Sequence, residues 1–108
     1  MKTKKLKIPI YGDIWLIVIC KDLRKVIKKY NIEGDVSGMD AFTYSKNGTH
    51  ITAFDKRYVT PSTIAHECVH LLNDIYSFNG VQLDPVNDEP QAYLMGWLIG
   101  KVHKLVKL

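Results

Sequence analysis

The spacing of hydrophobic positions changes period several times along the chain. Leu6 to Tyr11 and Ile14 to Cys20 are runs rich in β-branched and aromatic residues, split by Gly12-Asp13. Two such runs around a tight turn predict a hairpin. From Lys21 to Tyr30 the period lengthens: Leu23, Val26, Ile27 and Tyr30 recur at helical spacing, and Gly34 follows as a stop. Beyond a linker holding Gly34 and Gly38, DAFTYS alternates, Asn47-Gly48 gives the strongest short turn signal, and THITAFD alternates again. A second hairpin is expected there.

Thr60-Pro61 has the form of an N-cap followed by proline at the first helical position, and opens a helix running to about Phe78 that closes at Asn79-Gly80. The loop VQLDPVNDE then leads to a last helix from about Asp88 to Lys107. Pro90 is tolerated near its start because first-turn amides have no intrahelical acceptor. Leu94, Met95, Trp97, Leu98, Ile99, Val102, Leu105 and Val106 leave only a narrow polar edge at Lys101, Lys104 and Lys107. Most of that helix is therefore expected to be covered, and Gly96 and Gly100 would let another helix approach closely. The elements together predict an α+β fold: a small, largely antiparallel sheet of about four strands packed on three helices.

Composition narrows the picture. A chain of 108 residues with 46% hydrophobic content suits one core, so residues 1–108 are expected to form a single domain. No segment reaches the roughly 18 apolar residues of a membrane span, and DIWLIVIC, between Asp13 and Lys21, is strand-sized. Pro9, Gly12 and Asp13 interrupt the segment after the basic N-terminus, and no small-residue cleavage site succeeds it, so a signal peptide is not expected and the address expected is cytoplasmic. Cys20 and Cys68 fit reduced, packed thiols, with a disulfide between them as the alternative. The formal charge of +4 raises a polyanionic partner. Much of the excess lies in MKTKKLK and in KDLRKVIKKY, where Lys21, Arg24, Lys25, Lys28 and Lys29 fit the solvated face of an amphipathic helix better than a nucleic-acid contact.

The candidate chemistry lies in TIAHECVHLLNDIY. Residues four apart share a helix face, so His66 and His70 can turn both imidazoles toward one ion, while Glu67 projects beside them where it can reach a water. The competing reading is an ordinary buried helix with two satisfied histidines. A catalytic zinc takes three protein groups and keeps one position open, so a third donor decides between them. Glu89 follows His70 with eighteen residues between and opens the last helix.

With these residues the chain resembles the gluzincin clan of zinc metallopeptidases, whose pattern is HExxH, a segment of this length and a glutamate on the next helix. More narrowly, AHECVH with NDEPQAYLMGW is similar to small, often phage-encoded metallopeptidase-like proteins that consist of little besides this core. The resemblance is concentrated in Ala65 to His70 and Asn87 to Trp97. It implies a minimal zincin core, His66, His70 and Glu89 as zinc ligands, and Glu67 as base and proton shuttle. It also implies that the strand Thr49 to Asp55 offers an edge on which an extended peptide is laid.

Many gluzincins have an acidic residue one turn after the third ligand, where this chain has Tyr93. Asp74 or Asp88 is then expected to orient a ligand histidine. Tyr93 itself reads first as a packed aromatic on a buried helix, and otherwise as a phenol donating to the oxyanion of a tetrahedral intermediate, with Tyr58 and Tyr76 as rivals. His50 suits a surface or cross-strand role, and His103 a cation near a helix C-terminus. The spacing of Asp84, Asp88 and Glu89 does not match a calcium loop. Cys68 reads as inert packing rather than a nucleophile. The functional expectation is a zinc-dependent peptidase acting on a peptide or protein. The alternatives are a zinc-containing peptide-binding or inhibitory module without catalysis, and a basic protein associated with nucleic acid.

Overall fold

A computed structural model describes residues 1–107. The order of elements is β1 (Lys2–Lys7), β2 (Ile14–Cys20), α1 (Leu23–Lys29), β3 (Ala41–Lys46), β4 (Thr49–Asp55), α2 (Pro61–Phe78) and α3 (Glu89–Val106). The strands form one sheet in the order β1-β2-β4-β3. β1 with β2 and β3 with β4 are antiparallel, and β2 with β4 is parallel. The expected α+β class and mainly antiparallel sheet are what the chain forms. The one parallel pair arises because α1 carries the chain across the sheet before β3 and β4 enter.

Period-2 alternation divides the sheet between two cores. Trp15, Ile17 and Phe54 face α2 and α3 and join Ile64, Cys68, Leu71, Ile75, Leu98 and Val102 in one apolar cluster. Val18, Cys20, Ile51 and Ala53 face the other way and pack with Leu23 and Val26 of α1. Asp22 caps α1 by accepting from the Arg24 amide, and Lys28 and Lys29 occupy its last turn, where cations are favourable. The lysines of α1 are exposed, as a solvated helix face requires.

The first strand lies four residues earlier than its hydrophobic run suggested. β1 is the lysine-rich Lys2–Lys7, in register from Lys2 opposite Ile19 to Lys7 opposite Ile14. Ile8 to Gly12 forms the connection instead: the Ile8 amide donates to the Asp13 carbonyl and the Gly12 amide to the Ile8 carbonyl, at 2.8 and 2.9 Å. Pro9 cannot donate to a ladder, and Ile10, at φ +70° and 98% exposed, is turned out of it. Lysines on an edge strand also discourage pairing with another chain. The second hairpin forms as expected, with Asn47 and Gly48 both at positive φ, the conformation a tight two-residue hairpin turn demands. Gly48 is further fixed because a Cβ there would lie 2.7 Å from the Phe78 ring.

α2 matches its sequence limits, with the Thr60 side chain accepting from the Thr63 amide. α3 corrects an expectation. Only Leu94, Leu98 and Val102 are buried along it, a single stripe at i, i+4 and i+8. Gly96 and Gly100 face open space rather than a neighbouring helix. α3 is an outer element supported on one side, so the flanking apolar residues Met95, Trp97, Ile99, Leu105 and Val106 stay half-buried. Among the described residues no helix is long and apolar enough to cross a membrane.

A histidine pair beside an edge strand

α2 buries Ile64, Cys68, Leu71, Leu72 and Ile75 against the sheet and so turns His66 and His70 outward. Both imidazoles are exposed, so they are not enclosed inside a buried helix. Their Nε2 atoms face each other at 3.2 Å. Two donors on a tetrahedral ion with bonds of about 2.0–2.1 Å stand about 3.3–3.4 Å apart. The same separation serves an N–H of one ring donating to the other. The spacing of the pair is compatible with two ligand points on a divalent ion and equally with a hydrogen bond between the rings.

Glu67 differs sharply from its neighbours: its side chain is 7% exposed and Oε2 lies 4.0 Å from His66 Nε2. The Thr43 hydroxyl on β3 donates to Oε1 at 2.8 Å. That bond fixes one carboxylate oxygen and leaves the other on the side of the imidazoles. A cavity of about 630 Å³ opens over this group, lined on one wall by Met39 to Thr43 and on the other by Ser62, Thr63, His66, Glu67, His70 and Asp74. Thr43 carries a role that pattern reading missed. The available signal was the small-residue inward face of DAFTYS, where Ala41, Thr43 and Ser45 alternate with Phe42 and Tyr44.

The remaining candidates separate. Glu89 is exposed at the first turn of α3 and is not among the residues lining this cavity. Among the described residues no three His, Cys, Asp or Glu side chains form a group able to hold a metal ion. Tyr93 is 75% exposed, so it is not the packed aromatic expected, and it does not line the cavity. The expected packing failed because α3 has a neighbour on one side only. Tyr76 is buried in the core and Tyr58 is half-exposed outside the cavity. Of the two carboxylates expected to orient a ligand, Asp74 lines the cavity and Asp88 stands at the start of α3. Asp84 accepts from the amides of Val86 and Asn87, an ordinary loop turn. The peptide edge expected on Thr49 to Asp55 is corrected: β4 is paired on both sides, and β3 is the edge strand beside α2. The register follows from the parallel pairing of β2 and β4, which adjacent sequence does not reveal.

His50 is fully buried. Its Nε2 meets Asp13 Oδ2 at 2.6 Å and its Nδ1 meets Ser45 Oγ at 2.6 Å. Ser45 donates on to Asp74 at 2.8 Å, and the Asn79 amide donates to Asp13 Oδ1 at 2.9 Å. The cross-strand role holds, since Ser45 and His50 are register partners, whereas a surface position does not. The chain of contacts ties the β1–β2 turn, β4, β3 and two points of α2 together and ends on a carboxylate of the cavity wall. Both cysteines are free thiols. Burial pushes the Cys68 thiol up to about 12, with the Glu67 charge adding to it, so it is poorly suited to act as a nucleophile. Burial likewise raises Cys20.

Comparison with known proteins finds no family model, no curated protein and no solved structure that matches the chain.

Proposed function

We propose that the chain is a zinc-dependent hydrolase acting on peptide bonds. The observation that carries this reading is the 3.2 Å separation of the exposed His66 and His70 Nε2 atoms beside a buried, tethered carboxylate. His66 and His70 would hold the ion, with Glu89, on the resemblance to gluzincins, expected to complete the set. Bound there, the ion supplies Lewis-acid polarisation of the scissile carbonyl and acidification of a water. Glu67 accepts the proton of the attacking water and returns it to the leaving amine. Thr43 positions Glu67 by holding Oε1. The outer edge of β3 offers unpaired main-chain groups to which an extended peptide adds as a further strand along the cavity.

The position of Glu89 outside the cavity favours a second reading, a peptide-binding module in which the histidine pair takes up metal without catalysis. Two measurements separate the readings. Purified protein is assayed for bound zinc and for cleavage of a diverse peptide library, beside Glu67→Gln and Glu89→Ala. The hydrolase reading expects cleavage that falls by about 10²–10⁴-fold in Glu67→Gln while zinc is retained, and weakened zinc binding in Glu89→Ala. Zinc uptake with no cleavage by the parent protein establishes the binding module. Undiminished cleavage in Glu67→Gln removes that residue from its role.

A further inference from the structure

The charge of the chain is divided unevenly, and the fold brings its two basic ends together. Residues 1–12 and 90–108 carry seven lysines and no acidic residue, whereas residues 13–89 carry eight basic and eleven acidic side chains. The net +4 is thus seven positive charges at the two ends against three negative between them. β1 lies at one edge of the sheet and the end of α3 runs beside it, where Lys2 Nζ donates to the Leu105 carbonyl at 3.0 Å. A groove of about 270 Å³ forms between them, lined by Lys2, Lys4, Leu6, Lys101, Lys104 and Leu105.

From this geometry we propose that the β1–α3 groove binds a single nucleic-acid strand through its phosphates. Lys2 and Lys4 repeat at the two-residue period of a strand face, and Lys101 and Lys104 at the three-residue period of a helix face. They line the groove from its two sides around Leu6 and Leu105, with the Lys2 ammonium bridging to the Leu105 carbonyl and the Lys101 ammonium over the Trp97 ring. Among the described residues no carboxylate lines the groove to compete for the lysines. A flexible polyanion is the partner that can follow such a lane and engage several cations at once. A membrane surface is a poorer fit: both leucines are half-buried among the lysines, so neither stands clear of them to enter a bilayer. The groove is separate from the cavity of His66 and His70, and no described residue lines both. The inference therefore does not depend on hydrolysis.

The test is fluorescence anisotropy of a labelled 20-nucleotide single strand titrated with the full chain at several salt concentrations. Contacts from Lys4 and Lys104 alone give a slope of log affinity against log salt of about −1.4, at about −0.7 per phosphate on single strands, and recruitment of Lys2 and Lys101 steepens it toward about −2.8. Lys2 is tied to the Leu105 carbonyl and Lys101 lies over the Trp97 ring, so the variant chosen is Lys4→Glu with Lys104→Glu. It is expected to weaken binding more than tenfold while circular dichroism shows the fold retained. Lys28→Glu with Lys29→Glu, on exposed positions of α1, is expected to change affinity less than threefold. No binding at 20 mM salt overturns the proposal. So does equal loss from both double variants, or co-sedimentation with vesicles containing phosphatidylserine under conditions where the oligonucleotide is not bound.

Discussion

Two sets of imidazoles occupy neighbouring parts of this molecule under opposite conditions. His66 and His70 stand in solvent on the outer face of α2, with Nε2 turned toward Nε2. His50 lies in the interior with both ring nitrogens engaged, one by Asp13 and one by Ser45. A histidine whose two nitrogens are already committed has no lone pair to offer a ligand. The difference teaches that side-chain chemistry alone does not mark a ligand. His50 has the same donors as His66, and its surroundings have spent them on holding strands, turn and helix together.

The largest effect expected from this contrast is on stability. His50→Ala leaves the Asp13 carboxylate buried without its main partner and should cost about 3–5 kcal/mol, read from the urea midpoint. His66→Ala should leave that midpoint nearly unchanged, as exposed substitutions do. Equal losses from the two would erase the distinction. Zinc supplies the converse test. At a hundredfold excess over its dissociation constant it should stabilise the parent chain by about 2.7 kcal/mol, and should do nothing comparable for His66→Ala or His70→Ala. A zinc response surviving in both variants places the ion elsewhere.

Smaller effects sharpen the boundary between the two sets. Ser45→Ala removes the hydroxyl that joins His50 to Asp74 and should cost about 1–3 kcal/mol, measured in the same urea series. Thr43→Val deletes the donor to Glu67 and should cost about 1 kcal/mol, with a fall in any peptide cleavage; unchanged cleavage would mean that Glu67 needs no tether. The smallest effect is the alkaline pH dependence that Cys68 confers. Its folded thiol titrates near 12, above the ordinary thiol value, so the folded state keeps its proton longer than the unfolded state does. The stabilisation is complete below the unfolded thiol range and declines as pH rises toward 12. At pH 8 a thiol reagent should modify Cys68 only as fast as the chain unfolds, and rapid labelling of the folded protein would contradict its burial.

Much of the architecture is legible in the order of residues. The Asn47-Gly48 turn specifies its hairpin through backbone conformation alone, and Thr60-Pro61 specifies the start of α2 through a cap and a fixed φ. His66, Glu67 and His70 can be grouped because they fall within five residues on one helix. Where the pattern misleads, the cause is a neighbour distant in sequence. Ile8 and Ile10 have strand propensity, but pairing with β2 selects Lys2–Lys7 and leaves them in the connection. Tyr93, Gly96 and Gly100 were expected under cover, and their side of α3 faces no partner. Thr52 and His50 alternate with Ile51 and Ala53 as though half of β4 faced water, yet strands on both sides and helices above close it off.

By itself the sequence determined the kinds of element, most of their limits and the pairing of two imidazoles with a carboxylate, because each depends on dihedral preferences and spacings within a few residues. Only the tertiary structure decided that β3 rather than β4 is the open edge, that Thr43 holds Glu67, that His50 is sealed between Asp13 and Ser45, and that the lysines of both chain ends flank one groove. Those outcomes depend on which strands lie side by side and which helix covers them, and long-range pairing free energy is not encoded in any short stretch of residues.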